Sequence, residues 1–229
     1  EIYETDDRYH GDMYAGWVCL FHNVFSQRLV DMALVGRMAK DEAARNRCIE
    51  LLLLYAEVLP TLPLRIPPDI NQKSLKARQY NRILTYHREG DNTILFNLAQ
   101  AYELVRDGMT DEQRGLVEEK VLERLLDDMM LEPIYAYDHN NVYQWLRTVV
   151  QAALALERED LIDWAFGFGE FSREKLSEHR SMNRILDTHF NDDGAFWELA
   201  SGYHLYPVQH LCEFAVLSRN VAAMDPARF

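Results

Sequence analysis

Two short segments hold the side-chain types that acid–base chemistry on a sugar requires. The first, Asp138-His139-Asn140-Asn141-Val142-Tyr143-Gln144-Trp145, opens an apolar-periodic run continued by Leu146, Val149, Val150, Ala153 and Leu154. It reads as the start of a buried helix, where the positive end of the dipole favours an anion and His139, Asn140 and Asn141 offer hydrogen-bond donors. Asn141, Trp145 and Thr148 share one face by i, i+4, i+7 spacing. An Asp or Asn that merely caps the helix over a buried Trp accounts for the same residues, because both types are preferred N-caps.

The second segment runs from Asp192-Asp193-Gly194 through Trp197-Glu198 to Ser201-Gly202-Tyr203-His204-Leu205-Tyr206-Pro207. Pro207 fits the first position of a helix, which sets Tyr203, His204 and Tyr206 at its start, where side chains can face a cleft. Tyr203, His204 and Glu198 supply acid/base groups, and Trp197 a surface on which a sugar ring can stack. A glycine turn followed by aromatic packing is the plainer alternative, since aromatics at helix starts are common core residues.

Other candidates fail on spacing. His179 and His189 are too far apart for one helical face, no His-Glu-x-x-His occurs, and no Gly-rich phosphate loop precedes a helix. Asp127-Asp128 reads as a solvated helix edge, and Ser172, Ser177 and Ser181 lack a nucleophile elbow. No metal site is expected.

The elements that must position these residues are helical almost throughout. Thr110-Asp-Glu-Gln113 is a capping box, followed by Leu116, Val117, Val121, Leu122, Leu125 and Leu126 on one side and charged residues on the other. The same reasoning places helices at about 10–26, 40–59, 91–107, 111–130, 140–157, 159–168, 170–188 and 206–222. Prolines 60, 63, 67 and 68 mark a long connection, and Asp192-Asp193-Gly194 a tight turn. Nothing in the composition marks a linker, so a single domain over residues 1–229, built of antiparallel helix pairs, is expected.

With 24 Lys and Arg against 37 Asp and Glu in 229 residues, the formal net charge is −13. That balance argues against nucleic acid as a partner, because a phosphate backbone selects basic faces. The longest apolar run, Leu51 to Ala56, is far short of the roughly 20 residues of a membrane span and reads as a buried helix segment. Cys19, Cys48 and Cys212 are odd in number and widely spaced, so they read as core thiols. The chain begins at Glu1 and stops at Pro226-Ala-Arg-Phe229, and both ends look cut from a longer protein.

Four stretches together resemble the helical part of heparinase II/III-like and alginate lyase-like polysaccharide lyases. They are Asp41 to Leu59, Leu98 to Val105 with Met109 to Arg114, His139 to Trp145, and Asp193 to Tyr206. The resemblance implies an all-α fold, an incomplete α/α toroid of antiparallel helical hairpins. It also implies a C-terminal β-sandwich domain beyond this chain, a periplasmic or secreted setting, and cleavage of a uronate-containing polysaccharide by β-elimination without a cofactor. Asn141 best matches the neutral residue that binds the uronate carboxylate, with Asn140 the alternative because His139 precedes the Asn pair rather than following it. Tyr203 best matches the base and acid, assisted by His204 or by an Arg such as Arg147. His139, Asn140, Trp145, Trp197, Glu198 and Tyr206 are expected to line the substrate. Since a polyanion must meet an acidic protein, a locally basic cleft is expected from Arg78, Arg82, Arg88 or Arg147.

The chemistry explains those residue types. Removing the C5 proton of a uronate places charge on its carboxylate, and donors aimed there stabilise it without a proton exchange of their own. A phenol near both C5 and the glycosidic oxygen can take one proton and return it to the leaving group, provided its pKa is brought down from about 10. Two rival readings use the same residues. In an α/α-barrel glycoside hydrolase Asp193 and Glu198 would be the paired carboxylates, and in a non-catalytic carbohydrate-binding scaffold Trp145 and Trp197 would be platforms.

Overall fold

The computed structural model describes residues 2–5, 9–62, 84, 88–130, 141–167, 181–191, 194 and 201–224, at some element ends as backbone alone. The fold is all-α. The strands among the described residues are one antiparallel hairpin, β1 (Ile2–Thr5) and β2 (Tyr9–Asp12), which pairs Ile2 with Asp12 and Thr5 with Tyr9. The chain divides into two compact units, Glu1–Leu131 and Glu132–Phe229.

In the first unit α1 (Met13–Met38) packs against α2 (Glu42–Val58) and α3 (Arg88–Val105). Leu29, Val30 and Ala33 of α1 meet Cys48 and Leu52 of α2 and Ile94, Leu95 and Leu98 of α3 in a core sealed from water. This helix runs well past the end expected near residue 26. Apolar residues on both its faces, Leu29 and Val30 inward but Leu34, Val35 and Met38 outward, blur the period that marks a helix end. Asp41 caps α2 by accepting from the Ala44 N–H at 3.0 Å. Gly36 lets α1 approach α2 closely, for a Cβ there would lie 2.9 Å from the Arg45 Cβ.

The expected capping box is present. Thr110 Oγ1 accepts from Gln113 N and Gln113 Oε1 accepts from Thr110 N, opening α4 (Asp111–Val117). The continuous helix expected over 111–130 is interrupted by a π-helical stretch, Glu118–Glu123, before α5 (Arg124–Met130). Val121, Leu122, Leu125 and Leu126 are buried, whereas Leu116 is exposed. The Tyr102 hydroxyl donates to Glu118 at the start of this stretch, and burial, with Glu118 beside it, raises the Tyr102 pKa. Leu54 of the apolar run in α2 is exposed too, whereas Leu51, Leu52, Tyr55 and Ala56 are buried. Of the thiols, Cys48 is a core residue whose pKa burial pushes up to about 12. Cys212 is exposed, contrary to expectation, because it lies on the outer face of its helix.

The second unit is built around α6 (Asn141–Ala155), which packs against α7 (Glu159–Phe166) and α9 (Ser201–Met224); α8 (Met182–His189) packs on α7. Every residue of α6 from Val142 to Ala155 is buried, so this helix is central rather than half-solvated. Gly167 ends α7 with φ +84°, the left-handed conformation that stops a helix, and Ser181 Oγ would lie 2.4 Å from any Cβ there. The turn expected near Gly194 is seen at that glycine, which has φ +80° and donates to the Asn191 carbonyl; Asp192 and Asp193 are outside the described residues.

The α9 helix corrects the sequence reading. It starts at Ser201, not at Pro207, and Pro207 lies inside it. Proline lacks the N–H that would bond the carbonyl four residues earlier, so the Tyr203 carbonyl loses its helical partner near the helix start.

Candidate functional site

The buried helix α6 carries one polar stripe. Gln144, Arg147, Thr148 and Gln151 follow at i, i+3, i+4, i+7 spacing, so they share a face, and all are at most 5% exposed. On α9, Tyr206, His210 and Glu213 follow at i, i+4, i+7 and meet that stripe. The Tyr206 hydroxyl donates to Gln144 Oε1 at 2.7 Å. Arg147 Nη1 donates to Glu213 Oε2 and lies 3.2 Å from His210 Nδ1. The Tyr206 ring stands edge-on to the His210 ring, with centroids 4.4 Å apart. Thr148 Oγ1 donates back to the Gln144 carbonyl, holding the stripe on the helix.

Contacts advance together along both helices, Gln144 with Tyr206 and then Arg147 with His210 and Glu213. The two helices therefore run parallel, and their N-terminal ends lie at the same end of the seam. Pairing offsets most of the cost of burying so polar a seam. Burial would raise the Glu213 pKa, but the hydrogen bond and charge of Arg147, with His210 and Gln209, outweigh it and hold the carboxyl below its ordinary value. Burial first, and Arg147 second, lower the His210 pKa. His210 Nδ1 also lies 3.1 Å from Glu213 Oε2, where its N–H can donate to the carboxylate, and the buried Nε2 has no hydrogen-bond partner among the described residues.

A second contact ties α6 to the end of α8. The Tyr143 hydroxyl and His189 Nδ1 are 3.0 Å apart in a buried pair, with their rings edge to face.

The candidates named from sequence fall as follows. Asn141 is the first residue of α6, and Tyr203 and His204 lie in the first turn of α9; the backbone is described at all three, the side chains are not. Asn141 precedes Gln144 by three residues and Tyr203 precedes Tyr206 by three. By helical spacing both backbone positions extend the seam at its N-terminal end. Tyr206 is in the seam itself. Trp145 is 3% exposed and packs edge to face on Trp164 at 5.0 Å, which makes it a core residue of the second unit. Arg147 is also buried, and its charge is matched by Glu213, so it adds no positive surface. His139, Asn140, Trp197, Glu198, Asp193, Arg78 and Arg82 lie outside the described residues, as does the Arg88 side chain.

Gln144, His210 and Glu213 were not singled out by sequence reasoning. Their signal was present as two polar periodicities, Gln-x-x-Arg-Thr-x-x-Gln and Tyr-x-x-x-His-x-x-Glu, inside otherwise apolar helices. Among the described residues no group of three or more His, Cys, Asp or Glu side chains is placed to hold a metal, and no helix is long and apolar enough to cross a membrane.

No family model matches the chain. It is similar to an alginate lyase of Stenotrophomonas maltophilia (strain K279a), at 24% identity over 203 residues that cover 88% of this chain and 25% of that protein. The chain thus spans about a quarter of that relative's length.

Proposed function

We propose that this chain is the helical part of a polysaccharide lyase that cleaves an acidic, uronate-containing polysaccharide by β-elimination. The observation that carries the reading is the parallel seam of α6 and α9. The two segments with the residue types for this chemistry begin neighbouring helices, fastened by the bond from Tyr206 to Gln144. The likeness to an alginate lyase supports it from a separate direction.

In this reading the first turns of α6 and α9 face the substrate. Helix N-termini lying together favour a carboxylate, and Asn141, with Asn140 as the alternative, donates to it as charge develops. Tyr203 takes the C5 proton and returns it to the glycosidic oxygen, aided by His204. His139, Trp197 and Glu198 line the substrate. Behind them the seam fixes the helix starts, so a small displacement does not spoil the alignment of base and donor. Because Glu213 matches the charge of Arg147, that arginine is not the positive surface that draws in a polyanion. A C-terminal β-sandwich completes the site in a periplasmic or secreted enzyme, and the helical part belongs to a toroid.

The test follows ultraviolet absorbance while alginate, heparan sulfate or hyaluronan is incubated with the enzyme that contains this segment. Elimination leaves a conjugated unsaturated uronate, so absorbance is expected to rise as the polymer shortens. Shortening without absorbance would mean hydrolysis, and retention of polymer without shortening would mean a binding scaffold. The 229-residue segment alone is expected to bind acidic oligosaccharide weakly without forming the unsaturated product, because its site lies open to water.

A further inference from the structure

The outward face of α1 carries a feature independent of the seam. Trp17, Phe21 and Val24, then Arg28 and Asp31, then Val35 and Met38 follow in alternating steps of four and three residues. That is the heptad spacing of a helix–helix seam. The face is open, with Trp17 61%, Val24 52%, Val35 47% and Met38 79% exposed, while Leu29, Val30 and Ala33 on the opposite face are buried. Large apolar side chains in such a row mark an interaction surface. Around Trp17, Phe21 and Phe25, whose rings stack at 5.5 and 5.3 Å, the surface forms a groove of about 270 Å³ that Leu20, Val24 and Arg28 also line.

The row is complementary to itself when reversed. In an antiparallel pairing of two copies centred between Leu29 and Val30, Phe21 meets Met38, Val24 meets Val35 and Arg28 meets Asp31. Both ends of the contact are then apolar, and each copy sets its single cation against the other's single anion. An in-register parallel pairing would instead place Arg28 on Arg28 and Asp31 on Asp31, which like-charge repulsion opposes. Met38, the most exposed of the row, falls opposite the aromatic groove, and a flexible thioether fits an irregular aromatic surface well. Within one chain Arg28 and Asp31 already pair at 2.8 Å with side chains 72% and 44% exposed, so both charges are free to take a second partner across the contact.

We propose that α1 is a dimerisation helix through which two copies of this chain associate antiparallel. The contact is isologous, so each Arg28–Asp31 pair occurs twice about the two-fold axis.

Sedimentation equilibrium of the 229-residue chain tests this. The wild type is expected to dimerise, and Arg28→Asp and Asp31→Arg, each alone, are expected to weaken the dimer by about a hundredfold or more, because each puts like charges together at both contacts. An equimolar mixture of the two variants is expected to restore a dimer, since Asp at 28 and 31 in one copy then faces Arg at both positions in the other. The double swap, which keeps the pairing within the helix, is expected to dimerise like the wild type. If either reversal lowers helicity, Val35→Glu at an exposed position replaces it and is expected to give a folded monomer. A wild-type monomer at all concentrations would overturn the proposal and give the face to another segment or protein. So would a dimer indifferent to charge reversal or to Val35→Glu, or a mixture that stays monomeric.

Discussion

Arg147 Nη1 lies 3.2 Å from His210 Nδ1 and donates at the same time to Glu213 Oε2, so one buried guanidinium on α6 holds two groups of α9. The Arg147 side chain is 6% exposed and that of Glu213 35%. Arg147→Met is expected to leave the carboxylate without its counter-charge and to destabilise the second unit by about 2–3 kcal/mol. That is below the ~3–5 typical of a fully buried pair, because water still reaches Glu213. Urea denaturation measures it. The double variant Arg147→Met with Glu213→Leu is expected to recover most of the loss, since an apolar pair of similar volume replaces a salt bridge at little net cost.

The same cluster sets a pH dependence. His210 and Glu213 both have folded-state pKa values below their ordinary ones, 6.5 and 4.5. For each, the unfolded chain binds a proton more readily than the folded one, so stability is fully present above the ordinary pKa and falls as pH drops through the folded value. Unfolding free energy is expected to decline in two stages on acidification, the first below about pH 6.5 from His210 and the second below about pH 4.5 from Glu213. His210→Gln should remove the first stage only. Denaturation series from pH 8 down to about pH 2 read both stages, and a decline of unchanged shape in the variant would assign the first stage to another group.

Trp145 separates packing from recognition. It is buried against Trp164, so Trp145→Ala is expected to cost about 3–5 kcal/mol by opening a cavity in the second unit. Thermal unfolding measures this. A Trp that served chiefly as a sugar platform would instead leave the unfolding midpoint in place and weaken oligosaccharide binding.

The parts of the fold that were legible in sequence are those where one local rule acts alone. The Thr110–Gln113 capping box and the apolar stripe after it could be read because capping and helical period depend only on neighbours in the chain. The start of α9 was misplaced because proline at the first helical position is the commoner arrangement. The structure tolerates Pro207 in the second turn, where only the Tyr203 carbonyl loses a bond. The end of α1 was missed because Leu34, Val35 and Met38 point outward while Leu29 and Val30 point inward, which blurs the apolar period. At the candidate site the segments were legible but the seam behind them was not. His210 and Glu213 look like ordinary surface residues until α6, whose faces are all buried, gives them partners 63 and 66 residues away in sequence.

Two tyrosines one turn apart allow the chemistry to be assigned. The Tyr206 hydroxyl is committed to Gln144 Oε1. Tyr206→Phe is therefore expected to remove one hydrogen bond from a buried carbonyl oxygen and to cost about 1 kcal/mol of stability, with a modest effect on turnover. Tyr203→Phe, in the enzyme that contains this segment, deletes the proposed proton-transfer group and little contact area. It is expected to remove nearly all turnover while substrate binding stays almost unchanged, the mark of an interaction made in the transition state. Steady-state rates of unsaturated-uronate formation, set beside binding of oligosaccharide to each variant, distinguish the two. If Tyr206→Phe abolished turnover while Tyr203→Phe did not, the base would move one turn along α9 and the bond to Gln144 would have to break in the catalytic cycle. That bond would then orient the phenol until the substrate displaces it, and Gln144→Ala would change the pH profile of turnover rather than stability alone.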